Sequence, residues 1–182
     1  MISLFFNKVL ISEEGLVKSM NRVFLRKLED SDIDTFQKWV YSEHVAKWYT
    51  EPLEWLDEIS KRDTEYSWIK HLIVETEGVP IGFCQYYDYT FSGETWHGNM
   101  DVKDTYSIDY LIGETDYLGR GFGKSIVLHL VNEIRNKTDA KKIIVQPEVG
   151  NKASRNTLLS AGFLYDVEND VYYIEIGSAS EI

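Results

Sequence analysis

The chain is poor in the residues that staple or stiffen small folds. Among its 182 residues Cys84 is the one cysteine, and only three are proline. A single thiol rules out an intramolecular disulfide and suits a reducing compartment. No apolar run approaches the roughly 20 residues that a membrane-spanning helix needs. Positive charge is scarce too: 19 Lys and Arg face 30 Asp and Glu, for a formal net charge of −11. Such a surface repels phosphate backbones, so nucleic acid is not an expected partner and a cationic small molecule is favoured. Acidity also serves solubility alone, and charge by itself does not separate the two. The start, Met1-Ile2-Ser3-Leu4-Phe5-Phe6, lacks a basic segment and a small-residue cleavage site, so it reads as a strand and not as a secretory leader. A cytoplasmic protein with no membrane partner is expected.

What is present fits a packed globule. Apolar residues make up 43% of the chain and aromatics 14%, and a chain of this length buries a core of its own. There is no repeat, low-complexity tract or linker, so residues 1–182 read as one domain. Residues 3–11 and 15–20 read as an N-terminal hairpin that covers a sheet edge or pairs between subunits. Monomer and dimer both stay open. Residues 23–28 read as the next strand, and Asp30, Ser31 and Asp32 offer N-caps to an amphipathic helix carrying Ile33, Phe36, Trp39 and Val40. Helical pieces follow over 42–48 and 52–62, then strands over 66–76 and 79–89 around a turn at Glu77-Gly78. A polar loop spans 90–104. A strand at 106–112, a helix at about 124–136, a strand at 141–145, a helix at 151–160 and an antiparallel pair at 163–167 and 171–176 complete the chain. The tail from 177 is expected to fray. This order predicts an α/β fold, a mixed and mostly antiparallel sheet flanked by helices.

The sharpest feature is Leu118-Gly119-Arg120-Gly121-Phe122-Gly123-Lys124-Ser125, set between a strand and a helix. Alternate glycines let successive N–H groups turn toward one point, and the helix start adds unpaired N–H groups and the positive end of its dipole. The segment reads as a nest for a phosphate-bearing ligand.

The glycine segment, with Asn151-Lys152-Ala153-Ser154 and Ala161-Gly162-Phe163 downstream, resembles the acyl-CoA-binding segments of the GCN5-related N-acetyltransferases (GNAT). The likeness spans most of residues 22–176, in the family's element order. Val79 to Tyr86, Ser107 to Glu114 and Val45 to Tyr49 are most similar to the aminoglycoside 6'-N-acetyltransferases of that superfamily. The resemblance implies direct transfer of acetyl from acetyl-CoA to a primary amine, with no acyl-enzyme and no metal. The pyrophosphate is expected on Gly119, Arg120, Gly121, Phe122, Gly123, Lys124 and Ser125. The pantetheine arm is expected beside Leu111 and Ile112, with Asn151 and Ser154 also touching the cofactor. Asn151 serves equally as a helix cap.

Asp109 is the expected catalytic group. It holds the substrate ammonium and takes its proton, and Asp in a strand interior wants a reason. Trp48, Tyr49, Gln85, Trp96 and Gln146 are expected to contact the substrate along with Asp109. Trp48 and Tyr49 also fit plain helix-end packing. The loop acids Asp88, Glu94, Asp101 and Asp104 fit either a polycation or a solvated loop. Many relatives carry a tyrosine seven residues after the Asn, suited to protonate the leaving thiolate. Here that position is Leu158, so water or another tyrosine such as Tyr165 takes the role, or the thiolate leaves unprotonated. The four histidines show no metal-ligand spacing. Alternatives from the same residues are an acetyltransferase for a polyamine, a siderophore precursor or a protein N-terminus, and a non-catalytic acyl-CoA sensor.

Overall fold

The computed structural model describes residues 22–177. The expected hairpin over 3–11 and 15–20, and the end of the tail, lie outside the described residues. Seven strands form one sheet, in the order β1 (Phe24–Lys27), β2 (Lys70–Thr76), β3 (Val79–Asp88), β4 (Thr105–Ile112), β5 (Lys142–Val145), β7 (Val171–Glu175) and β6 (Leu164–Asp166). Every pairing is antiparallel except β4 with β5. The helices are α1 (Ile33–Val40), α2 (Glu43–Ala46), α3 (Pro52–Ser60), α4 (Phe122–Lys137) and α5 (Lys152–Ser160).

Side-chain alternation along the strands divides the core between two faces. On one face Cys84, Ile108 and Ile143 pack with Ile126, Leu130 and Ile134 of α4 and Leu158 of α5. On the other, Ile73, Phe83 and Leu111 meet Phe36, Trp39 and Val40 of α1. Full burial of each such side chain is worth about 1.5–3 kcal/mol. Burial of the Cys84 thiol pushes its pKa well up, which makes it an inert core residue.

Two expected boundaries move. Residues 66–69 do not belong to β2: Ile69 N–H bonds back to the Tyr66 carbonyl in a turn, and Trp68 meets Tyr87 edge-on at 5.6 Å. Aromatic spacing over 66–69 imitated a strand. The glycine segment also gives way to helix earlier than expected, at Phe122, because Gly121 sits at φ 84 as the N-cap. Asp32, expected to cap α1, takes the Arg26 guanidinium at 2.6 and 2.8 Å and the Glu29 N–H at 2.9 Å.

Gly113 ends β4 against α1, where a methyl group would overlap the Trp39 ring. The close approach lets Trp39 Nε1–H donate to Glu114 at 2.8 Å, with Lys38 at 3.2 Å. The lead into the glycine segment is thereby tied to the helical layer.

Candidate active site

The register of β4 opens a gap in the sheet. Toward β3 it pairs from Tyr106 to Ile112. Toward β5 it pairs only at Thr105, Tyr106 and Ser107. Beyond Ser107 the two parallel strands part. Gly113 N–H bonds to the Ile81 carbonyl at 2.8 Å, and alternation then turns the Leu111 amide and carbonyl toward β3, leaving those of Tyr110 and Ile112 to face the gap. An extended arm lying there would pair with Tyr110 and Ile112, while Leu111 contributes a buried side chain. Among the described residues, His44 Nε2 lies 3.0 Å from the Ile112 carbonyl.

The glycine turn lies just beyond the end of β4. Gly119 and Gly121 hold φ of 67 and 84, which side chains with a Cβ rarely adopt. Ser125 N–H already donates to the Gly121 carbonyl at 3.3 Å, and its side chain is buried. Ser125 is therefore a helix residue, and the first-turn amides left for an anion are those of Phe122, Gly123 and Lys124. The Arg120 guanidinium bonds the Asp116 carbonyl at 3.0 Å and lies over the Tyr117 and Phe122 rings. Lys124 is exposed on the first turn. Positive-φ glycines, helix-end amides and two cationic side chains form a donor set that fits a pyrophosphate.

Asp109 sits where the gap meets a cavity of about 560 Å³. Gln85 lies opposite it in the β3–β4 register and donates from Nε2 to the carboxylate at 3.0 Å. Burial pushes the Asp109 pKa up to about 7, the Gln85 bond holds it down, and nearby Glu58 and Glu94 raise it further. Gln85 is 2% exposed, and its Oε1 has no hydrogen-bond donor among the described residues. A buried acceptor beside a half-buried acid fits an N–H-bearing ligand.

The cavity wall is acidic and aromatic. Glu54, Glu58, Glu94, Asp109 and Glu148 line it, as do Trp48, Trp55, Trp68 and Trp96, and no described lining residue is Lys, Arg or His. Tyr49 is deeply set there: burial pushes its pKa well up, and the neighbouring Asp109 adds to the effect.

Among the expected contacts, Trp48, Tyr49, Gln85, Trp96, Asp109, Gln146, Asn151 and Ser154 all line this one cavity. Gln146 is at the rim, its amide donating to the Asp170 carbonyl at 3.1 Å. Asn151 caps α5 by accepting from Ser154 N–H at 3.0 Å. Of the loop acids only Glu94 reaches the lining. Asp88 accepts from Thr90, Asp101 from the Lys103 N–H, and Asp104 pairs with Lys141. These three therefore stand outside the cavity lining.

Sequence reasoning passed over Glu54, Trp55, Glu58 and Trp68. The first three lie on α3 as two acids four residues apart with a tryptophan between them, a pattern that an ordinary surface helix shares. Trp68 was hidden by its false strand. Glu58 Oε1 is 3.0 Å from His71 Nε2 on β2, which fixes it at the cavity wall.

The fold and site together define a protein shaped to hold an extended, phosphate-bearing donor along a split strand pair, with a half-buried acid at the split. Residues 29–171 match the acetyltransferase (GNAT) domain family, and the chain belongs to it. It is 25% identical over 170 residues to the aminoglycoside N(6')-acetyltransferase type 1 of Klebsiella pneumoniae, covering 87% of this chain and 83% of that protein. Its fold is similar to that of the aminoglycoside acetyltransferase AAC(6')-Ib in complex with coenzyme A, with a TM-score of 0.74 at 22% identity over 85% of this chain and 95% of the other. It is also similar to that of the spermidine N-acetyltransferase from Vibrio cholerae in complex with CoA and spermine, with a TM-score of 0.66 at 16% identity over 85% and 95%.

Proposed function

We propose that this protein transfers acetyl from acetyl-CoA to the 6'-amine of an aminoglycoside, by direct attack within a ternary complex. The observation that carries the reading is Asp109, half-buried beside Gln85 at the junction of the split strand with a cavity walled by acids and tryptophans. A polycation bearing sugar rings matches that wall in charge and in shape. Relatives named for aminoglycoside 6'-acetylation support the same substrate class.

The residues divide the work. The amides of Phe122 to Lys124, with Arg120 and Lys124, hold the donor's pyrophosphate. The Tyr110 and Ile112 backbone holds its arm, with Asn151 and Ser154 on the opposite side. Gln85 Oε1 accepts one N–H of the substrate ammonium and Asp109 accepts another. With a pKa of about 7, Asp109 is poised to receive the proton released as the nitrogen is acylated. The donor's thioester supplies an activated acyl carbon.

A polyamine is the second reading, favoured by the acidic wall and by the spermine-bound structural neighbour. A thiol-release assay with acetyl-CoA against kanamycin, tobramycin, spermidine, lysine and a basic peptide separates the two. We expect the highest kcat/KM with the aminoglycosides. A higher value for spermidine replaces the substrate assignment. No turnover on any amine, with acetyl-CoA still bound, overturns the substrate assignment in favour of an amine outside this panel or an acyl-CoA sensor.

A further inference from the structure

Asp109 and Tyr110 are consecutive in β4, so their side chains leave opposite faces of the sheet. Asp109 meets Gln85 on the face covered by α1 to α3. Tyr110 packs into the core under α4 and α5, and its hydroxyl lies 2.9 Å from Ser154 Oγ and 3.4 Å from the Ser154 carbonyl. Both residues line the cavity, and the strand edge between them is the one that β5 has left open. The glycine turn and the start of α4 stand on the Tyr110 side. A donor anchored there reaches the open edge from that side, while an amine held by Asp109 arrives from the other. The bond that forms and the bond that breaks then lie on opposite faces of one strand.

The other tyrosine candidate is elsewhere. Leu158 is fully buried in the core, as its position on the inner face of α5 requires. Tyr165, expected as a possible substitute, gives its hydroxyl to Asp170 at 2.6 Å and is not in the cavity lining.

We propose that Tyr110 is a catalytic residue, whose hydroxyl donates a hydrogen bond to the donor sulfur as the carbon–sulfur bond breaks while Ser154 Oγ orients it. The inference rests on the acetyl transfer described above. The nitrogen lone pair forms the bond to the acyl carbon, and the carbonyl pair moves to oxygen and returns. The carbon–sulfur pair departs on sulfur. Of the two protons the ammonium loses, one leaves for solvent before the attack and frees the lone pair, and the other passes to the Asp109 carboxylate once the nitrogen is acylated. Tyr110 keeps its own proton. Burial pushes its hydroxyl to about 12, against about 8.5 for a free thiol. Transfer to a thiolate is uphill by more than three powers of ten on those values, so the phenol stabilises the thiolate as a donor and the thiolate is protonated by water after release. The phenolic proton turns from the Ser154 carbonyl to sulfur, and Ser154 Oγ then supports the hydroxyl as a donor.

The test is an ultraviolet titration of the thiolate of bound CoA, compared between the wild type and Tyr110→Phe. A hydroxyl donating to sulfur favours the thiolate, so the bound thiol should titrate about one unit lower in the wild type than in the variant, a tenfold change. The variant's kcat should fall about ten- to a hundredfold, the range of one hydrogen bond to a charged group, with CoA affinity and the acetyl-CoA KM held within about threefold. Equal thiol titrations overturn the proposal. If Tyr110→Phe does not hold CoA, Ser154→Ala supplies the comparison: it should raise the bound thiol's titration, and an unchanged value again overturns the proposal. If CoA binds and no amine is acetylated, the amine assignment fails while the thiol titration still decides the role of Tyr110.

Discussion

Two aspartates in this fold, one buried and one half-buried, stand at opposite ends of the carboxylate scale. Asp32, at the β1 edge, faces the Arg26 guanidinium at 2.6 and 2.8 Å, and that pairing holds its pKa below the usual carboxylate range. Arg26 also bonds Glu75 at 2.6 Å, so one cation joins β1, β2 and the turn into α1. Asp109, at the centre of the sheet, has a neutral amide for a partner and acids for neighbours, and burial pushes it up to about 7. Loss of water contact alone therefore does not set the outcome, and the charge of the partner decides it. A guanidinium turns a buried carboxylate into a brace. A carboxamide leaves it a base near neutrality, at a cost in stability.

Replacing each aspartate by its amide breaks this comparison most sharply. Asp109→Asn should lower kcat/KM on the preferred amine by about 10²–10⁴, the usual loss with a positioned base. The same variant should gain stability at pH 8, by about 1–2 kcal/mol after allowance for solvent in the cavity, because a charged, buried group is removed. Asp32→Asn should do the reverse. It leaves Arg26 short of its main partner and should cost about 2–3 kcal/mol in denaturant unfolding, below the figure for fully buried pairs because Arg26 is a third exposed. Its kcat should be unchanged. A variant pair whose stabilities move in the same direction would remove the contrast.

The pH dependence sharpens it. A raised carboxyl contributes stability at acid pH and loses it as pH climbs from the unfolded value of about 3.9 toward 7. Asp109 should therefore cost stability in the window where activity appears, with kcat/KM rising through about pH 7 in the wild type and flat in Asp109→Asn. Asp32 works the other way. Its contribution is present above about pH 4 and is lost as pH falls through its depressed folded value, so acid unfolding of Asp32→Asn should be less steep.

The smallest effect is expected from Gln85→Leu. The amide bond holds Asp109 down, so its loss should move the kinetic midpoint above 7 and raise the amine KM, by about tenfold or less, with kcat recovered at higher pH. A midpoint that falls would show that another group titrates.

Particular residues show what was legible along the chain. Alternating and helical apolar periods placed every described strand and helix to within a few residues, except where Tyr66, Trp68 and Ile69 imitated a strand. The glycine turn stood out because only glycine enters φ near 70–80 without strain, so its chemistry is written in composition. Asp109 stood out because a strand interior rarely holds an acid. Glu58 and Trp55 did not, since on a helix an acid and an aromatic look like an ordinary solvent-facing and core-facing pair. Their placement depends on how α3 lies over the sheet, and in part on the contact between Glu58 and His71, residues 13 apart in the chain on different elements.

The sequence by itself determined the element order, the glycine turn and the acid at the centre, because backbone conformation and local periodicity are properties of short segments. The tertiary structure alone decided that β5 parts from β4 after Ser107, that Gln85 lies opposite Asp109, and that Tyr110 faces Ser154. Strand register and helix placement join residues far apart in the chain, and no local pattern encodes which distant partner a side chain will meet.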